Sequence, residues 1–220
     1  MKLISVSVGL PRQVPWKSNA VTTGIFKAPV KRRVRLTILN LDGDGQADLS
    51  VHGGTAKAVY VYPSEHYDFW RDEKIAVALP HGSFGENFTT SGLLEDAVHI
   101  GDQFRIGTAE VVVTQPRLPC IKLGIKFGDP ALVKRFADSR RTGFYLAVRR
   151  EGEVGAGDFI NLIAKDPNRV TVSDITRLYL DKVTDRPIME RALRVAALPA
   201  NWREYFQDQI HGGKGKDIEA

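Results

Sequence analysis

The sequence predicts a mainly β fold, a barrel carrying short helices, followed by a small three-helix unit. Three observations predict it. Short runs with alternating hydrophobicity recur from residue 1 to about residue 164, and turns rich in glycine and aspartate separate them. After Lys165-Asp166-Pro167 the apolar period changes from two to about 3.6. The expected organisation is a β domain over residues 1–164, a helical unit over 165–211 and a flexible tail over 212–220.

The first strand is expected at residues 3–8, where Ile4, Val6 and Val8 alternate with Leu3, Ser5 and Ser7. One lysine ahead of a short apolar run resembles a secretion signal, but Pro11, Arg12 and Pro15 follow at once and favour the strand. A cytoplasmic location is therefore expected. Further strands are expected at 34–41, 58–62, 98–100, 104–106, 110–114, 144–149 and 159–163. Asp42-Gly43-Asp44-Gly45, His52-Gly53-Gly54, Gly101-Asp102 and Gly155-Ala156-Gly157 supply the turns. Many short strands at close spacing point to a barrel or sandwich rather than a parallel α/β sheet.

Two short helical patches interrupt the β pattern. Residues 64–72 place Tyr67 and Trp70 three apart, and residues 129–137 place Leu132, Val133 and Phe136 on one face. Beyond residue 165 three apolar stripes follow: Ile175, Leu178 and Tyr179; Ile188, Ala192 and Val195; Trp202, Tyr205, Phe206 and Ile210. Thr171 or Ser173 can cap the first helix, and Pro187 and Pro199 stand where the next two begin. A unit this small rarely has a sufficient core of its own, so it is expected to pack on the β domain or on another subunit.

Composition narrows the function. With 43% hydrophobic residues in 220, the chain can bury a sizeable core, which excludes disorder throughout. Thirty-one basic against 26 acidic residues leave a charge of +5, and residues 1–164 hold 21 of the basic and 17 of the acidic side chains. This excess suits an anionic ligand and falls short of a nucleic-acid-coating protein. Cys120 is the single cysteine, so an internal disulfide, a four-cysteine zinc site, a paired-cysteine redox motif and a four-cysteine iron–sulfur cluster are all excluded within the chain. No apolar run reaches 18 residues, so no membrane-spanning helix is expected.

The candidate chemistry gathers in loops. Cys120 sits in Gln115-Pro116-Arg117-Leu118-Pro119-Cys120-Ile121-Lys122, where two prolines stiffen the chain and two cations favour a thiolate. The alternative is a buried, inert thiol. His52, beside two glycines, could place an imidazole near a ligand or simply close a turn. The acidic cluster of Asp42, Asp44 and Asp48 lacks the glycine and glutamate of a calcium loop. Gly82-Ser83-Phe84-Gly85-Glu86-Asn87 could offer backbone donors and an amide to an anion or a heterocycle. No dinucleotide or Walker-type glycine motif is present, and the histidines lack zinc-hydrolase spacing. The run Lys31-Arg32-Arg33-Val34-Arg35 is read as a charge-protected edge strand rather than a nucleic-acid contact.

The order of these motifs is more specific than any one of them. Gly43-Asp44-x-Gln46-x-Asp48 and His52-Gly53-Gly54 precede Tyr60-x-Tyr62-Pro63-x-Glu65-His66-Tyr67 and Phe84-Gly85-Glu86-Asn87. Val98-x-Ile100-Gly101-Asp102, Gln115-Pro116-Arg117-x-Pro119-Cys120-x-Lys122-Leu123 and Arg141-x-Gly143-Phe144-Tyr145 then follow. The series resembles the MOSC domain family, named for the C-terminal domain of molybdenum cofactor sulfurases, and within it the YiiM-like group. The three C-terminal helices are similar to the helical domain of that group.

The resemblance implies a barrel that holds molybdenum cofactor, with Cys120 as the thiolate ligand of the metal. Arg117 is then a cationic contact to the cofactor or to that ligand, Asn87 a contact to the pterin, and His52 a proton donor or pterin ligand. Lys17, in a Lys17-Ser18 pair, and Arg141 are candidates for the cofactor phosphate. The implied activity is reduction of N-hydroxylated compounds, such as hydroxylaminopurine or amidoximes, by two-electron cleavage of the N–O bond. Electrons would come from a separate flavoprotein or ferredoxin, and a homodimer is possible. The alternative is a sulfur carrier that holds a persulfide on Cys120.

Overall fold

The computed structural model describes residues 1–47, 53–213 and 217–218. The strands are β1 Lys2–Val8, β2 Arg12–Trp16, β3 Asn19–Thr23, β4 Ala28–Pro29, β5 Val34–Leu36, β6 Val59–Pro63, β7 Phe88–Ser91, β8 Gln103–Ile106, β9 Ala109–Pro116, β10 Phe144–Arg150, β11 Gly152–Val154 and β12 Ile160–Ala164. The α-helices are α1 Glu65–Asp72, α2 Ile121–Phe127, α3 Ala131–Ser139, α4 Val172–Leu180, α5 Arg186–Leu193 and α6 Ala200–Ile210. No helix among the described residues is long and apolar enough to cross a membrane.

Eight strands form one sheet in the order β12-β8-β9-β10-β6-β7-β1-β4, antiparallel except where β6 runs parallel to β7. The sheet curls. An isolated bridge joins Lys2 to Phe159, and Leu3 N donates to Asp158 O at 2.9 Å while Ile160 N donates to Met1 O at 3.0 Å. The start of β12, at one end of the sheet order, is thereby brought against β1 near the other. The fold is thus mostly sheet with short helices, its ends joined by a bridge rather than by a full ladder.

Strand β6, Val-Tyr-Val-Tyr-Pro, is buried throughout and shows how the two faces are used. Val59 and Val61 enter the larger core with Val111, Val113, Phe144 and Leu146. Tyr60 and Tyr62 point the opposite way, into a second core with Tyr67, Trp70, Phe84, Leu123, Leu132 and Phe136 under α1, α2 and α3. The two-residue side-chain period of a strand thus divides one segment between two cores.

The helical unit has no core of its own. Ile175, Leu178, Ile188, Trp202 and Phe206 belong to the same buried cluster as the sheet residues Phe104, Val111 and Val113. The Trp202 indole donates to Gln115 Oε1 at 2.7 Å, bonding α6 to β9 inside that cluster. Thr171 caps α4 in a reciprocal capping box with Asp174, and Asp185 caps α5 with Pro187 in its first turn.

Several elements differ from the sequence reading. Residues 98–100 form no strand. Val98 O and Ile100 N instead bond to Val172 N and Val170 O, at 3.0 and 2.9 Å, tying this segment to the chain entering α4. The strand expected over 34–41 stops at Leu36, because Thr37–Asn40 hydrogen bonds turn the chain. The β2–β3 hairpin and helix α2 were not foreseen. Within residues 212–220, Gly213 N donates to Asp208 O at 2.8 Å, and Ile218 is buried with its N–H and C=O both bonding the Tyr179 hydroxyl, at 3.1 and 3.3 Å. The basic run leads into β5 of the small β5–β11 sheet; Arg33, just before the strand, pairs with Asp158, and Arg35 within it pairs with Glu151.

Candidate functional site

One cleft gathers most of the chemistry. Its wall comprises Lys27, Asp44, Lys57, Tyr60, Asn87, Arg117, Leu118, Cys120, Lys122 and Tyr145, with the chain at 23–25, 45–47 and 84–85. Strand β9 delivers the central loop. After Pro116 the chain leaves the sheet, Arg117 N donates to Gly143 O at 3.0 Å, and Pro119 carries it to Cys120. Cys120 is extended (φ −128°, ψ 170°), half-buried and the N-cap residue of α2, with its carbonyl accepting from Leu123 N at 3.0 Å.

A second wall is the segment 23–27, wedged between two glycine-bearing turns. At Gly24 a Cβ would stand 2.3 Å from Gly45 O, and at Gly85, where φ is +85°, it would stand 2.7 Å from Ile25 Cγ1. Only glycine permits both approaches. The turn at 82–86 is held from inside by Glu86, a fully buried carboxylate. Gly82 N (2.7 Å), Phe84 N (3.0 Å), Thr89 Oγ1 (3.0 Å) and the Tyr67 hydroxyl all donate to it. A buried charge is tolerated when donors surround it in this way.

The wedge presents Lys27 to the cleft. Its ammonium pairs with Asp44, and the two side chains are 8% and 1% exposed. Burial pushes the Lys27 pKa below the ordinary lysine value, and the charge of Asp44 opposes that shift. Asp44 also accepts from Gly9 N and from Asn87 Nδ2, each at 2.9 Å. Behind this pair Lys126 donates to Ile25 O and Gly82 O at 2.9 and 2.6 Å, and burial pushes its pKa down to about 8.

Arg117 is the least satisfied group of the site. It is 5% exposed, and its Nη1 has no hydrogen-bond partner among the described residues. The guanidinium carbon lies 5.2 Å from the ring centres of both Tyr60 and Phe136, so aromatic faces supply part of its environment. Among the described residues the cleft wall carries the cations Lys27, Lys57, Arg117 and Lys122 and the carboxylate Asp44. Among the described residues no three His, Cys, Asp or Glu side chains cluster as a metal site, which leaves Cys120 as the single soft donor of the cleft.

The structure brings together three of the expected site residues, Cys120, Arg117 and Asn87. Asn87 is buried with its amide engaged: Nδ2 bonds Asp44 and Ser7 O, and Oδ1 accepts from Tyr60 N at 3.1 Å. It braces the wall. Lys17 stands apart, exposed at the β2–β3 turn with φ 55°, because Lys17-Ser18 is itself the hairpin connection. Arg141 also lies outside the cleft wall; its guanidinium stacks 4.2 Å from the Phe69 ring centre and bonds Ser139 O, bracing α1 against the end of α3. His52 lies outside the described residues. Sequence reasoning missed Lys27, Tyr60 and Tyr145 as wall residues and treated Asp44 only as a member of an acidic turn.

A curled sheet with a cationic cleft, one cysteine at a loop-to-helix junction and a helical unit sharing the sheet's core together define a domain that sets a single thiol in a cleft lined by cations. Residues 48–161 match the MOSC domain and residues 170–213 match the YiiM-like 3-alpha helix domain. The chain belongs to the MOSC domain family. It is 41% identical to the uncharacterized protein YflK of Bacillus subtilis over 93% of this chain and 92% of that one. The crystal structure of YiiM from Geobacillus stearothermophilus shares the fold with a TM-score of 0.78 and 32% identity, covering 95% of this chain and 98% of that one. A reductase of Gibberella moniliformis is 32% identical over 72% of this chain, a stretch that makes up 28% of the fungal protein.

Proposed function

We propose that the chain binds molybdenum cofactor and reduces N-hydroxylated compounds. The observation that carries this reading is Arg117 Nη1, a buried donor without a partner among the described residues, in the wall it shares with Cys120. A desolvated cation with an open valence fits an anionic ligand, and a thiolate is the soft donor that a molybdenum centre would take. The charge balance of the wall and the name of the fungal relative support the same reading. The residues present therefore fit the group.

Cys120 would ligate the metal, and Arg117, Lys57 and Lys122 would hold the anionic parts of cofactor and substrate. Tyr60 and Tyr145, whose rings stand 5.5 Å apart, offer apolar faces and polar tips to flat ligands. Burial pushes both phenols above the ordinary tyrosine pKa, so they remain neutral hydrogen-bonding groups at neutral pH. The cofactor, when bound, supplies two-electron redox chemistry, while the chain supplies binding, orientation and charge. A separate flavoprotein or ferredoxin would deliver the electrons, and the curled sheet would serve as the barrel expected for the family.

The test is protein purified from a host competent in cofactor synthesis. Near one molybdenum and one pterin per chain, loss of metal in Cys120→Ser and turnover of an amidoxime are expected. A cofactor-free wild-type protein from such a host would refute the proposal. A persulfide on Cys120, without amidoxime turnover, would favour the sulfur-carrier reading instead.

A further inference from the structure

Lys27 belongs to no motif of the sequence, yet it lines the cleft with its ammonium enclosed and paired with a carboxylate. Its position is built. Gly24 and Gly85 admit the wedge, Lys126 ties Ile25 O and Gly82 O together behind it, and Asp44 fixes the ammonium. Asp44 is in turn fixed by Gly9 N and Asn87. A lysine is seldom buried without a reason, and here three segments distant in sequence converge to hold one at a ligand cleft.

Resting on the reductase reading above, we propose that Lys27 is the proton donor to the oxygen that leaves during N–O cleavage, with Asp44 as its positioning residue. The balance is R–NH–OH + 2 e⁻ + 2 H⁺ → R–NH₂ + H₂O. The N–O bond breaks, and one new O–H and one new N–H bond form. Both electrons come from the reduced flavoprotein or ferredoxin. One proton passes from the Lys27 ammonium to the departing oxygen, and the other comes from water in the cleft. Water then returns a proton to the Lys27 amine.

The electrostatics suit this cycle. Asp44 favours the protonated form before the reaction, while burial makes the proton easier to release than that of a solvated lysine. The charges that bear on Lys27 are Asp44 and Glu86, which retain its proton, and the neighbouring cation Lys126, which disfavours it. Lys57, Arg117 and Lys122 add positive charge to the same wall, Lys57 over the Tyr145 ring and Arg117 over that of Tyr60. Arginine in place of Lys27 would keep the pairing but could not release a proton at working pH.

The experiment compares wild type, Lys27→Gln, Lys27→Arg and Asp44→Asn, each first assayed for molybdenum and pterin. With cofactor content within about twofold of wild type, both Lys27 variants should lose at least about 30-fold in kcat on an amidoxime, using a reduced viologen dye as electron source. Asp44→Asn should move the basic limb of the rate profile to lower pH. An independent reading needs no cofactor. The Lys27 side-chain NMR signal, assigned by its absence in Lys27→Arg, should titrate below an ordinary lysine in the wild-type apoprotein and lower still in Asp44→Asn. A loaded Lys27→Arg enzyme as active as wild type overturns the proposal alone. A wild-type protein that takes up no cofactor overturns the reductase reading, and this inference falls with it.

Discussion

Replacing Trp202 with alanine tests whether the sheet and the helical unit are one cooperative structure. Trp202 is fully buried, its ring lies 5.3 Å from Tyr179 and 5.9 Å from Phe206, and its N–H is bonded to Gln115 Oε1. Truncating a buried tryptophan costs about 3–5 kcal/mol. The orphaned Gln115 oxygen adds about 1–3 kcal/mol where water does not reach it. The total, roughly 4–8 kcal/mol, is comparable with the whole stability of an ordinary domain. At about 2–4 °C per kcal/mol for a chain of this size, Tm should fall by at least about 10 °C. Trp202→Phe keeps most of the ring and isolates the hydrogen-bond part, so it should cost about 1–3 kcal/mol. The assay is guanidinium unfolding followed both by far-ultraviolet circular dichroism, dominated by helices, and by tryptophan fluorescence in a Trp16→Phe background, where Trp70 in the second core is the emitter left in the alanine variant. The two curves should coincide in the alanine variant. Helical signal lost at clearly lower denaturant than Trp70 fluorescence, or a cost below about 1 kcal/mol, would refute a shared core.

Three further outcomes are expected. Lys126 has a folded pKa of about 8 against 10.5 for an ordinary lysine, so between these values the unfolded chain binds the extra proton and stability rises with pH. The cost is complete below pH 8 and gone above about 10.5; wild type should gain on the order of 2–3 kcal/mol on Lys126→Met across that window, measured by denaturant unfolding. Gly24→Ala forces a Cβ against Gly45 O and should cost about 1–3 kcal/mol while weakening anion binding, both read by thermal shift with and without phosphate. Arg117→Met removes a buried cation with an open donor, so it should leave Tm equal or raised while anion binding falls at least about tenfold, read by calorimetry.

The legible parts of the fold were those in which one local rule decided the outcome. Thr171 and Pro187 announced helices because capping chemistry acts within four residues, and the alternation in residues 3–8 announced β1 because its faces see different surroundings. Residues 98–100 were misread because their apolar side chains serve a junction with α4, where burial without a ladder looks the same in sequence. The β2–β3 hairpin stayed hidden because Pro15 and two mostly exposed strands give no apolar alternation. Cys120 and Arg117 could be found because prolines and cations surround them in the chain. Lys27 could not, since its meaning depends on Asp44, 17 positions away, and on glycines in two other turns. Arg141 and Lys17 carried the right charge for a phosphate, but one is occupied by Phe69 and the other stands at a hairpin tip.

The bond between Trp202 and Gln115 has an implication for anyone altering this protein. Gln115 stands two positions before Arg117 and five before Cys120, at the end of the strand that launches the site loop. The helical unit therefore acts as a splint on the root of that loop. Damage there would read out as a fault of the cleft, some distance from any residue that meets a ligand. A screen for activity alone would score such changes as catalytic, and graft experiments that exchange the helices would retune the cleft without touching it.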